Sequence, residues 1–187
     1  ENISIDGQNV IVQSFRGADS TFINGNNEAS CLSVVGNSTV AFSGFTLRSG
    51  LGENGGGIHI EGSGAITLNK LHVHSNLASI DGGGLFVGSA NSGPVTVTNS
   101  IFYNNECVNK GGGMNIQDDN TVIQSTLIFS NSTQQDAGGI YTSGKLKVLN
   151  CSFIENRVPS GRSGAAMMIE TGLDSSLLVN NIFYNNN

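Results

Sequence analysis

Apolar residues alternate with polar ones in short runs along this chain, and helical spacing is not sustained over any useful length. One set of runs reads Ile58-His59-Ile60, Leu85-Phe86-Val87, Met114-Asn115-Ile116, Ile140-Tyr141-Thr142 and Met167-Met168-Ile169. A second reads Ile66-Thr67-Leu68, Val95-Thr96-Val97, Thr121-Val122-Ile123 and Leu146-Lys147-Val148. Period-two alternation predicts half-buried strands, and the Gly and Asn residues between runs predict turns.

The runs are phased by two repeated marks. A Gly pair precedes an apolar residue at Gly56-Gly57-Ile58, Gly83-Gly84-Leu85, Gly112-Gly113-Met114 and Gly138-Gly139-Ile140, with Ala165-Ala166-Met167 as a degenerate copy. From Gly57 to Ala166 the copies are spaced 27, 29, 26 and 27 residues apart. The other mark is an apolar residue followed three positions later by Asn: Val73 and Asn76, Phe102 and Asn105, Ile128 and Asn131, Phe153 and Asn156, Phe183 and Asn186. Leu47-x-x-Gly50 and Phe22-x-x-Gly25 extend it as weaker copies. A unit of about 27 residues with three short strands cannot bury a core alone, but it is the right length for one coil of a solenoid. The pattern predicts an all-β, right-handed parallel β-helix of about seven coils of three short strands, forming one domain over residues 1–187.

Stacked coils place like residues on like. Asn76, Asn105, Asn131, Asn156 and Asn186 are expected to form a structural Asn ladder at a bend, each amide bonding its neighbours above and below. The Gly pairs suit a corner that excludes side chains. Asn54, Asp81, Lys110, Asp136 and Ser163 align in a further column, where Lys110 is expected to sit between two carboxylates. On the third strand the outward residues Ile101, Tyr103, Leu127, Phe129, Ile154, Ile182 and Tyr184 make an apolar and aromatic stripe. Such a stripe marks a partner: another segment of the same chain, a neighbouring copy, or a glycan stacking on Tyr103 and Tyr184. The last coil stops on its Asn mark, where another Gly turn is due. The coil ends are therefore expected to be uncapped, in a segment of a longer chain or a filament assembled end to end.

Composition narrows the function. Only 12 % of residues are charged, with a net charge of −6 and no basic stripe, which argues against nucleic acid as a partner. No apolar run is long enough for a membrane-spanning helix. The three cysteines, Cys31, Cys107 and Cys151, show no metal-ligand spacing and read as small buried thiols. His59, His72 and His74 lack an evident third ligand, and Asp118-Asp119 reads as a solvated turn. No metal and no cofactor is expected, and no catalytic residue is assigned, because no outward strand column holds two carboxylates. Asn37, in a loop-like Asn-Ser-Thr sequon, is the best candidate glycosylation acceptor.

The pairing of Gly-Gly-[Ala/Gly]-[Ile/Leu/Met] with Phe-x-x-Asn resembles the repeats of chlamydial polymorphic outer membrane proteins. More broadly, it is similar to the right-handed β-helix of the pectin-lyase superfamily, over about residues 21–187. The first resemblance implies a secreted or cell-surface passenger serving in adhesion. The second keeps open a carbohydrate-active enzyme, a polysaccharide lyase or hydrolase, or a glycan-binding module. The leading expectation is a non-catalytic extracellular or cell-surface structural and adhesive scaffold.

Overall fold

The computed structural model describes residues 1–170 and 176–187. Seven coils wind into a parallel β-solenoid, and strands of successive coils pair in parallel throughout. One coil illustrates the others: Leu85–Val87 lies in the first sheet, Val95–Thr98 in the second and Ile101–Tyr103 in the third. Among the described residues each of these sheets has seven strands. A fourth sheet of four strands, Leu51–Asn54, Leu77–Asp81, Glu106–Cys107 and Ser132–Thr133, follows the ladder in the middle coils. Three-strand counting missed it because these segments are short and lack a repeated apolar alternation.

The inward columns fill the tube. Ile58, Leu85, Met114 and Ile140 from the first sheet, and Leu47, Val73, Phe102, Ile128 and Phe153 from the third, are fully buried. The expected register holds except at the first coil. There Ile23, not Phe22, pairs with Leu47 and points inward, while Phe22 lies outside opposite Thr46. The first coil is one residue shorter between its apolar residue and Gly25 than the later coils are, which displaced the sequence frame.

The bends on either side of the third sheet come from left-handed residues. Lys70, Asn99, Ser125, Asn150 and Asn180 precede the third strand with φ of 50–55°, and Ser49, Ser75, Asn104, Ser130, Glu155 and Asn185 follow it with φ of 51–54°. A single residue in this conformation turns the chain from one sheet to the next, and Asn tolerates it better than other residues that carry a Cβ. The Gly pairs have another cause. Positive φ falls one position earlier, at Gly55, Gly82, Gly111 and Ala137. The pair itself is packed against backbone: a Cβ on Gly84 would stand 2.6 Å from the Gly113 carbonyl oxygen of the next coil.

The Asn column bonds continuously along the rod. Nδ2 of Asn76, Asn105, Asn131 and Asn156 donates to Oδ1 of the next member at 2.9, 3.0, 3.0 and 2.9 Å. Each of those acceptor oxygens also receives the backbone N–H of the preceding Asn. Each second amide hydrogen reaches a strand carbonyl one coil back, as from Asn105 to Val73 at 2.9 Å. The series begins where Gly50 N–H donates to Asn76 Oδ1 at 2.8 Å, with the Cys31 thiol 3.6 Å from the same oxygen.

Asp118 lies in no solvated turn. It is 2 % exposed, accepts hydrogen bonds from Thr121 Oγ1, the Asn120 N–H and Asn91 Nδ2, and so ties its turn to the Asn91 loop one coil below. Burial pushes its pKa up against the pull of these bonds, and burial does the same to Asp81.

Three stability experiments follow from these contacts. Asn105→Leu strands several buried partners at once and should lower unfolding free energy by roughly 3 kcal/mol, whereas Asn37→Leu on an exposed strand end should change it little, as read by urea denaturation. Glu155→Asn keeps the bend in a residue suited to positive φ and should raise stability by up to about 1 kcal/mol. For Asp118 and Asp81 the folded pKa lies above the unfolded value of 3.8, so the unfolded chain ionises first as pH rises. Stability should fall as pH climbs from that value through the raised folded values, then level off. Asp118→Asn should make this slope shallower in urea midpoints collected across acidic pH.

Candidate interaction face

The outer surface of the third sheet carries two columns in register. His74, Tyr103, Phe129, Ile154 and Tyr184 form one; His72, Ile101, Leu127, Ser152 and Ile182 form the other. Every residue of the expected stripe thus lies on one face, with Ser152 interrupting the second column. Exposure is uneven. Ile101, Tyr103, Leu127, Phe129 and Ile154 are half-buried by their neighbours, whereas Ile182 and Tyr184 in the last coil are 60 % and 65 % exposed.

Stacking between coils explains the difference, since the middle strands pair on both sides and the last described strand on one. Residues two positions apart on a short strand point outward together, and parallel pairing sets each ring over its equivalent in the next coil. His74 stacks on Tyr103 with centroids 4.6 Å apart, and Tyr103 on Phe129 at 4.9 Å with the planes 5° from parallel. Both faces of Tyr103 are therefore covered, and the column turns its ring edges outward. A sugar stacks on a ring face, so Tyr103 is not the stacking platform that the sequence suggested. At the N-terminal end the column becomes basic, with Arg48 next to His74 and its guanidinium 5.1 Å from the Phe22 ring.

The outer face of the first sheet is largely covered in the middle coils. Phe86, Asn115 and Tyr141 point outward but are 6 %, 0 % and 5 % exposed. The corner preceding each strand folds back over this face: His59 Nδ1 lies 3.1 Å from the Asn54 carbonyl oxygen, and Asn115 Nδ2 donates to the Lys110 carbonyl at 3.3 Å. The charged column is aligned as read, with Asp81 opposite Asn54 and Lys110 opposite Asp136. Its chemistry is not charge pairing between side chains. Asp81 Oδ1 accepts the Lys110 backbone N–H, and Asp136 Oδ1 accepts that of Ser163, both at 2.9 Å. The Lys110 ammonium instead lies 4.3 Å from the Tyr141 ring centroid and donates to Tyr141 Oη at 3.2 Å. Tyr141 in turn donates to Glu170 Oε2 at 2.6 Å. Burial, first, and the Glu170 bond raise the Tyr141 pKa, which holds the phenol protonated. Glu170 lies just past its strand and Lys110 before its own, so strand alternation gave no hint of this chain.

The remaining candidates are dispersed. His59 Nε2 is 3.5 Å from Glu61 and His72 Nδ1 is 3.6 Å from Asp19. No group of three or more His, Cys, Asp or Glu suited to a metal occurs among the described residues. Burial raises the Cys31 and Cys107 thiols to about 11 and Cys151 in the same direction, which leaves all three as neutral thiols at ordinary pH. Asn37 is exposed at the end of Leu32–Asn37, whereas Asn131, the other Asn-Ser-Thr site, is fully buried in the ladder. No helix among the described residues is long and apolar enough to cross a membrane.

No curated protein and no solved structure matches this chain. The family model described as a right handed beta helix region does match it, over residues 56–187, which takes in both repeat marks and most of the stacked coils. By that match and by its seven parallel coils, the chain belongs to the right-handed β-helix family.

Proposed function

We propose that this β-helix is a non-catalytic structural and adhesive scaffold at the cell surface or outside the cell. The observation that carries the reading is the third-sheet face. Seven apolar or aromatic residues lie there in two registered columns along the rod. An aligned apolar strip is suited to docking a flat partner, either another segment of a longer chain or a neighbouring copy. Ring edges and aliphatic groups fit such a protein surface better than they fit a sugar. Either a further coil of a longer chain or a second copy would cover the inner residues Leu178 and Phe183, which are 39 % and 49 % exposed. The likeness of the repeat marks to those of polymorphic outer membrane proteins supports the same surface role, and the exposed Asn37 would be available to a glycan.

A carbohydrate-active role is the second reading. It is favoured by a cleft of about 480 Å³ beside the first sheet, bordered by Glu53, His59 and Glu61. Two carboxylates and an imidazole are the groups that acid–base cleavage of a glycosidic bond uses.

Sedimentation velocity over a concentration series separates the two. The scaffold reading expects self-association that Ile182→Ser with Tyr184→Ser weakens about tenfold without loss of folding. A protein that stays monomeric at all concentrations, yet cleaves polysaccharide in a manner abolished by Glu61→Gln, would establish the second reading in its place.

A further inference from the structure

At the bend that precedes the third sheet, the loop joining the first coil's second and third strands (Asn9–Gln13 and Phe22–Asn24) projects Phe15 and Arg16 into solvent. Phe15 is 100 % exposed, so it is an aromatic ring with both faces free, unlike Tyr103. The loop beneath it is fixed by specific bonds. Ser14 Oγ accepts the N–H groups of Arg16 and Gly17 at 3.1 and 2.9 Å and lies 2.6 Å from Thr21 Oγ1. Thr46 Oγ1 donates to the Ala18 carbonyl at 2.7 Å, and Asp19 sits 3.6 Å from His72. A bare ring on a tied loop is poorly explained by packing, since it packs on nothing. It is well explained as a preorganised contact that binding would cover.

Phe15 borders a cleft of about 520 Å³, a size typical of small-ligand sites. Two of the chain's eight Lys and Arg residues, Arg16 and Lys70, line it in a protein of net charge −6. Asp19 also lines it, with His72 beside that carboxylate. The rest of the lining is rich in amides. Asn69 Oδ1 accepts from Thr98 and Asn99, both at 3.1 Å, so the Asn69 amide nitrogen is the group left to donate. Gln13 and Asn99 are exposed at the same cleft. An open ring face, two cations and several amides together match one chemistry: a pyranose ring to stack, an acid group to neutralise and hydroxyls to bond.

We propose that this cleft binds an anionic saccharide, sulfated or carboxylated, with Phe15 stacked on a sugar ring and Arg16 and Lys70 against its acid groups. The cleft adjoins the third-sheet face at His72 but includes none of the seven stripe residues and neither Glu53 nor Glu61, so its test is separate from that of the scaffold reading.

Calorimetric titration of the intact protein with dextran sulfate and hyaluronan oligosaccharides tests it, with neutral dextran and polyglutamate as comparators. Saturable binding to at least one anionic saccharide is expected, weakening as salt screens the charges. Phe15→Ala and Arg16→Gln should each reduce affinity about tenfold. Lys70→Asn should do the same while suiting the left-handed backbone at that position, where φ is 53°. Lys147→Asn, a charge change outside the cleft, should leave binding unchanged. Melting temperatures verify that each variant is folded. The proposal is overturned if neither anionic saccharide binds, if Phe15→Ala has no effect, or if dextran or polyglutamate binds as well. Preference for the sulfated or the carboxylated probe identifies the acid group.

Discussion

Hydrogen bonds between equivalent strands of successive coils run along the rod axis, and almost every local choice in this chain follows from them. Parallel pairing at a fixed spacing means that a residue's nearest neighbour is its own counterpart one coil away. A position is therefore filled by a side chain that tolerates itself. Apolar residues do so in the core, Asn does so because its amide is both donor and acceptor, and flat rings do so by stacking. Charged side chains do not. The Asp81 and Asp136 carboxylates turn to backbone N–H groups, and Lys110 turns to the ring and hydroxyl of Tyr141.

The same constraint explains what could be read from sequence. The inward columns, the Gly and Asn marks and the outward stripe all repeat in residue type, so their alignment was legible from spacing alone. Features that repeat in conformation without repeating in residue type were not. The left-handed bends are filled by Ser, Asn, Lys and Glu, and only the backbone shows them to be one set. Phe22 was misplaced because the first coil is shorter between its marks. Asp118 read as a polar turn residue because its burial comes from the Asn91 loop in another coil, a contact with no local signature. Phe15 was passed over because it belongs to no column.

The three outer faces consequently differ in character. The first sheet is folded over by its own corners, the third presents registered ring edges and aliphatic groups, and the second is mainly polar. The contacts proposed for this chain are thus distributed around the rod and not gathered in one central pocket. The bends keep these faces at fixed angles, so a substitution on one of them should leave the others in place.

The Asn ladder also bears on how the rod responds to load. Its side-chain bonds, like those between the strands, lie parallel to the axis, while the covalent chain circles around it. Tension applied to the two ends therefore draws coils apart along the direction of the bonds themselves. Successive coil interfaces lie in series and carry the same tension, so the bonds of the weakest one would open together first. Force across the rod would meet the covalent winding instead. Such a body yields coil by coil when stretched lengthwise and resists being flattened.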